Sequence, residues 1–333
     1  MSLLHARNAV AAVALFLALV CAGARAQTAA PGAAHAYPVK PIRMVVPFPA
    51  GASSDIVGRM LAQKISEPLG EQVVTDNRAG AGGNLGIAVA AKSPPDGYTV
   101  LIATASIAIS PSLYSNLGYD PVRDLAPVAR LTSLPNVLIV HPSVPVKTLR
   151  QFINLARSRP GKLNFGSGGT GTTNHLANEL LKYLEKIDIV HVPYKGVTQA
   201  MTAMMGGEVD EVVMPVTTAL PQIRTGKVRA LAVLTEQRIP ALPDVPTGKE
   251  AGVDGFTMPL WYGMFAPAAT PREIVSRLNR ELVRALESAD IRERLTALGV
   301  EPWPGTAEQL GKLLREDIER YGAVVRSAGV PKQ

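Results

Sequence analysis

Two segments carry residue types and spacings that can do chemistry. The first is Pro47-Phe48-Pro49-Ala50-Gly51-Ala52-Ser53-Ser54-Asp55. It leaves an apolar run and enters a helical pattern, so free backbone N–H groups and the positive end of a helix dipole meet there, a ready anion site that needs no cationic side chain. Gly51 and its small neighbours leave room for a ligand to approach the backbone. Ser53, Ser54 and Asp55 each have a second reading as helix caps, and a carboxylate at Asp55 would repel an anion unless it faced a donor. The second segment is Gly166-Ser167-Gly168-Gly169-Thr170-Gly171-Thr172-Thr173-Asn174-His175, again between a strand pattern and a helix pattern. Its hydroxyls and loop amides make a second anion cradle. His175 reads either as a base or as a packed histidine on an apolar helix face.

Other chemistries fare poorly. Gly166, Gly168 and Gly171 spell G-x-G-x-x-G with Asp188 about 20 residues on, a dinucleotide pattern that is weak in isolation. There is no G-x-S-x-G elbow. His5 falls in the export signal described below, and the other histidines (His35, His141, His175 and His191) do not stand at metal-ligand spacing, so neither metal nor cofactor is expected. Lys/Arg clusters interleaved with aromatics are missing, which argues against nucleic acid.

The elements that must position these loops repeat one grammar: strand, loop, helix. Strands are expected at 42–46, 73–74, 98–103, 136–140, 163–165, 189–192, 209–214 and 228–234. Between them Ile56, Val57, Met60, Leu61 and Ile65 share one helical face, as do Leu176, Leu180, Leu181 and Leu184. Helices close the chain at 272–287, 291–298 and 308–326. This alternation predicts an α/β protein of two similar halves, each with a mainly parallel sheet flanked by helices. Lobe 1 is expected at 37–133 and 256–333, lobe 2 at 134–255, with hinges near Leu134 and Phe256 and the ligand in the cleft between them.

The N-terminus sets the compartment. Arg7 precedes an apolar run at 9–22, and Ala24-Arg25-Ala26 then precedes Gln27, the layout of a secretory signal peptide cleaved after Ala26. The run is too short for a comfortable membrane span. With no twin arginine, Sec export to the periplasm is expected. Val20 stands where a lipoprotein signal needs a small residue before Cys21. Cleavage removes the only cysteine, and with Arg7 and Arg25 it lowers the formal charge from +7 to +5. A loose leader at 27–36 follows.

A longer series of motifs runs through the chain in a fixed order. It comprises Tyr37-Pro38-x-Lys40-Pro41-Ile42-Arg43, the loop at 47–51, Asn77-Arg78-x-Gly80-Ala81-Gly82-Gly83-Asn84, Pro94-Pro95-Asp96-Gly97-Tyr98-Thr99, Pro111-Ser112-Leu113-Tyr114, Tyr119-Asp120-Pro121, His191-Val192-Pro193-Tyr194-Lys195-Gly196 and Leu242-Pro243-Asp244-Val245-Pro246-Thr247. In this order it closely resembles the substrate-binding proteins of tripartite tricarboxylate transporters, the Bug or TctC-like family. The resemblance implies a type II periplasmic-binding-protein fold that grips a small carboxylate, a di- or tricarboxylate or an aromatic one, and catalyses nothing. It also implies a monomer that delivers its ligand to a two-subunit permease of the TctA/TctB kind. A sensor feeding a membrane kinase would use the same lobes, and a secreted enzyme built on His175 is the rival of a different class. The ligand is expected at Phe48, Ala50, Gly51, Ala52, Ser53 and Asp55 of the first loop, at Ser106, at Ser167, Thr170, Gly171, Thr172, Thr173 and His175 of the second loop, and at Met214 and Thr217. Family members often carry a polar or acidic residue near position 214. A methionine cannot pair with an ammonium, and burying an unpaired ammonium costs several kcal/mol, so an amino acid is not the expected ligand; alternatively, Met214 simply packs inside lobe 2.

Overall fold

Apolar runs bounded by glycine and proline give buried strands here. The structure, a computed structural model, describes residues 37–333. The export signal expected at 1–26 and the leader at 27–36 lie outside the described residues. Strand β1 (Ile42–Val46) pairs in parallel with β2 (Val73–Asn77) and β3 (Thr99–Thr104). Between β1 and β2 runs helix α1 (Ser53–Leu69). It buries Val57, Met60, Leu61 and Ile65 and ends at Gly70, a left-handed cap whose N–H bonds the Ser66 and Glu67 carbonyls. Helices α2 (Asn84–Ala91) and α3 (Ser106–Leu113) follow β2 and β3.

Strand β4 (Leu125–Leu134) then runs to the end of this first sheet. After the single residue Pro135 the chain continues as β5 (Asn136–Val140) in a second sheet. That sheet collects β6 (Asn164–Ser167), β7 (Val190–Pro193), β8 (Glu211–Pro215) and β9 (Arg229–Val233), with helices α4 (Leu149–Ser158), α5 (Thr173–Glu185), α6 (Val197–Met205) and α7 (Val216–Arg224) between them. The chain returns as β10 (Leu260–Pro267), which enters the centre of the first sheet. Helices α8 (Arg272–Glu287) and α9 (Ala289–Ala297), strand β11 (Glu301–Gly305) and helix α10 (Ala307–Ser327) complete it.

The strand orders are β11-β4-β10-β3-β1-β2 and β7-β6-β8-β5-β9. Both sheets are mixed, which corrects the expectation of mainly parallel ones. β10 lies antiparallel between β3 and β4, and β5 lies antiparallel between β8 and β9. The cause is the double passage. Strands such as β3, β6 and β8 end at the boundary between the sheets, whereas β5 and β10 begin there, so each must run against its neighbours. The two passages are tied together: Leu234 N–H donates to the Asn136 carbonyl at 2.8 Å, Met258 N–H to the Leu234 carbonyl at 3.0 Å, and the Asn136 side-chain amide to the Met258 carbonyl at 3.2 Å.

Candidate functional site

Ligands of α/β sheets sit beyond the carboxyl ends of the strands. Here a narrow cavity lies between the strand ends of the two sheets. It is lined by Phe48, Ala52, Ser53, Ser54, Thr104, Ser106, Leu260 and Tyr262 from the first sheet and its loops, and by Gly168, Thr172, Thr173, Asn174, Val197 and Pro215 from the second. Five helices, α1, α3, α5, α6 and α7, present their N-terminal ends to it. No charged side chain is among the lining residues. The N–H groups of Ser53, Ser54, Thr173, Asn174 and Val197 donate to nothing among the described residues, nor does the buried Ser53 hydroxyl have a partner.

The first loop is held from behind by Asp55. Its carboxylate accepts from Gly51 N–H at 2.9 Å, from the Asn77 side chain at 2.9 Å and from Arg59 Nε at 3.0 Å. Burial pushes the carboxyl upward, but Arg59, Gly51 and Asn77 together hold it below the usual range. Asp55 therefore shapes the loop and does not face the cavity. Gly51 is needed for its φ of +79°, and a Cβ there would point into open space, so its role is conformational and not one of making room for a ligand. Ala50 is exposed outside the cavity.

In the second loop Thr172 caps α5: its hydroxyl accepts from His175 N–H at 3.4 Å and lies 2.7 Å from the Gly169 carbonyl. Asn174 accepts from Gly168 N–H at 3.1 Å through its side-chain oxygen, which also meets the Thr172 hydroxyl. Ser167, wholly buried, accepts from Gly169 N–H at 3.1 Å and lies 2.6 Å from His191 Nε2. His175 accepts from Gly171 N–H at 3.5 Å, and its ring faces His191 at 4.3 Å. Burial drives His175 down to about 3, helped by His191 and Lys182, and drives His191 down to about 4, helped by Lys182. Both are neutral packed rings, and neither lines the cavity. Ser167, Thr170 and Gly171 build the loop without facing the cavity. Asp188 is exposed and is not among the residues lining the cavity.

Met214 is corrected by strand geometry. Side chains alternate along a strand, and Met214 points into the core of the second sheet among Val137, Met204 and Leu220, while the next residue, Pro215, reaches the cavity. Thr217 lies buried in the first turn of α7, off the cavity wall. Of the expected residues, Phe48, Ala52, Ser53, Ser106, Thr172 and Thr173 line the cavity. Thr104, Val197, Pro215, Leu260 and Tyr262 were not anticipated. Thr104 and Pro215 are the last residues of their strands and follow from the strand-end rule; Leu260 and Tyr262 belong to β10, an apolar run without alternation to say which side chains face the cavity.

The two sides touch across the cleft mouth. The Tyr114 hydroxyl donates to the Thr170 carbonyl at 2.9 Å, Gly82 packs directly against that same carbonyl, and Pro49 lies against Gly196. Among the described residues no cluster of His, Cys, Asp or Glu is placed to hold a metal ion, and no helix is long and apolar enough to cross a membrane.

Comparison with known proteins adds to this picture. The family model described as the tripartite tricarboxylate transporter family receptor matches residues 57–330. The fold superposes on the periplasmic binding protein BugD with a TM-score of 0.86 at 34% identity, over 89% of this chain and 100% of that one. It superposes on the Rhodopseudomonas palustris protein Rpa4515, solved with adipate, with a TM-score of 0.87 at 36% identity, over 89% and 100% of the two chains. For MatC of the same organism, solved with bound malate, the values are 0.84 and 35%, over 87% and 100%.

Proposed function

This chain belongs to the tripartite tricarboxylate transporter receptor family, a family of periplasmic solute-binding proteins and not of enzymes, and we propose that it captures a small carboxylate, aliphatic or aromatic, for delivery to a two-subunit membrane permease. The observation that carries the reading is the convergence of five helix N-termini, three of them (α1, α5 and α6) with unpaired N–H groups, on a cavity without charged side chains. Such groups stabilise an anion through fixed dipoles and hydrogen bonds. Phe48, Val197, Pro215 and Leu260 suit the uncharged body of the ligand. The ligands of the two Rhodopseudomonas proteins, adipate and malate, are of this class.

An amino acid is disfavoured, now on different grounds. Met214 does not face the cavity, but no acidic side chain lines it either, so a ligand ammonium would find no charged partner. In this reading the chain is exported through Sec and cleaved after Ala26, acts as a monomer, and closes its two sheet units as the lobes of a clamp about the passages at Pro135 and 234–259. A thermal-shift panel tests it. Adipate, malate, citrate and benzoate are compared with aspartate and glutamate, and at least one simple carboxylate should raise Tm through binding linkage. A shift with aspartate or glutamate alone would sink the proposal.

A further inference from the structure

The loop that carries Thr173 and Asn174 to the cavity is not fixed by its own backbone alone. Its amides turn inward onto side chains, and the deepest of these contacts runs through Ser167. The Ser167 hydroxyl already accepts from Gly169 N–H at 3.1 Å, so its own proton needs an acceptor. Among the described residues the one placed to take it is His191 Nε2, at 2.6 Å. That arrangement assigns the His191 tautomer, with its proton on Nδ1 and Nε2 free to accept.

His191 is held in place by its neighbours. It sits on β7, the edge strand of the second sheet, in register with Phe165. Its ring stacks on Phe165, with centroids 4.8 Å apart and planes 15° from parallel, and meets the tilted ring of His175 at 4.3 Å, the three rings forming a corner. A ring held by a stacked neighbour and by a second ring at its side offers its nitrogen in a preferred direction. We infer that His191 is a positioning residue for ligand binding: through Ser167 it fixes Gly169 and so aims the free N–H groups at the start of α5 into the cavity. His191 never touches the ligand; it acts through the loop. The inference rests on the proposed carboxylate function only for its affinity readout.

The test uses two variants of the full mature chain, with adipate and malate as probes. His191→Phe keeps the ring stack and removes the acceptor; His191→Gln gives up the stack and restores an acceptor near Nε2. One hydrogen bond lost from the loop support should weaken probe binding by roughly three- to tenfold in His191→Phe, and His191→Gln should recover most of it. Independently of any ligand, NMR amide exchange should show Gly169 N–H exchanging faster in His191→Phe than in wild type, with protection regained in His191→Gln. Ser167→Ala removes the acceptor of Gly169 N–H itself and sets the full acceleration, while the imidazole nitrogen shifts of wild-type His191, which should show Nδ1 protonated and Nε2 accepting, decide the matter if His191→Phe does not fold. If neither probe binds wild type, the carboxylate reading fails while the exchange arm still decides the positioning role. Wild-type Gly169 protection in both His191→Phe and Ser167→Ala would overturn the inference, as would recovery in neither readout with His191→Gln.

Discussion

Replacing Tyr114 by phenylalanine removes one oxygen, and with it the hydrogen bond of 2.9 Å to the Thr170 carbonyl that joins the two sides of the cleft. The ring remains against Gly171, so packing is conserved. Thr170 is partly exposed, and water can take over its carbonyl once the cleft opens. The loss is therefore that of an ordinary neutral hydrogen bond, about 0.5–1.5 kcal/mol, and it falls on the closed arrangement alone. Where the free protein is mostly open, apparent affinity scales with the closed fraction, so Kd should rise roughly two- to twelvefold. The effect should lie in faster release, since association precedes the contact. Stopped-flow kinetics and calorimetry with whichever carboxylate shifts the wild-type Tm would read it. Tyr119→Phe is the control. Its hydroxyl donates to Asn84 at 2.7 Å within the first side, so it should lower stability and leave affinity unchanged. Equal Kd and an equal release rate for Tyr114→Phe would refute the reasoning.

Gly82→Ala should act more strongly, because its Cβ would strike the Thr170 backbone carbonyl and obstruct the closed cleft. Overpacking of about 1–3 kcal/mol predicts a Kd increase of up to roughly a hundredfold by calorimetry, and retained wild-type affinity would contradict the closed geometry. Glu211 is wholly buried and neither carboxyl oxygen accepts a hydrogen bond; burial pushes its pKa well above the usual range, Asn178 opposes this and Asp210 adds to it. A folded pKa raised this way means that stability falls as pH climbs above about 4.5, so Glu211→Met should stabilise by about 1–3 kcal/mol at pH 8 and by less at pH 5 in urea unfolding; parallel curves would count against it. His175 and His191 have the opposite sign. Held near 3 and 4 in the fold but near 6.5 when unfolded, they contribute stability present above pH 6.5 that is lost as pH falls to about 4, and to about 3 for His175. Wild-type denaturation midpoints from pH 7 to pH 4 should therefore fall, and a variant with both rings replaced by phenylalanine should show a flatter slope.

The two loops were legible because local chemistry defines them: a buried strand, then glycines and hydroxyls, then an apolar helical face. Mixed sheets were not legible: the strand at 136–140 is plain in the sequence, but an apolar run does not state its direction, and in the first sheet the strands around the return passage carry weak signals. β4 interrupts its alternation with Pro127 and Arg130, β11 holds two prolines and survives at a sheet edge, and β10 is one continuous apolar run. Helices α3 and α7 hide likewise behind Pro111 and Pro221. Losing β10 meant losing Leu260 and Tyr262 from the site. Met214 shows another limit. Alternation says that neighbouring residues face opposite ways, but which way is decided by α6 and α7 packing on that face, a tertiary fact. Asp55 shows a third: the residue type is right for a ligand contact, and only the positions of Gly51, Asn77 and Arg59 reveal that its bonds are already committed.

On the proposed function, the cavity holds an anion with backbone dipoles and hydroxyls alone, since no charged side chain lines it, and that gives it an unusual relation to dissolved salt. Lysine or arginine side chains at a binding site gain part of their effect through long-range Coulomb attraction, which ions screen over about 8–10 Å at ordinary ionic strength. Helix-end N–H groups act over hydrogen-bond distance inside a largely closed cleft, where no ion atmosphere fits between donor and ligand. Such a receptor gives up electrostatic steering and the fast association that goes with it. In exchange its affinity is insulated from the salinity of the surrounding fluid, a useful property for a protein of a periplasmic family, whose compartment exchanges small ions freely with the world outside the cell.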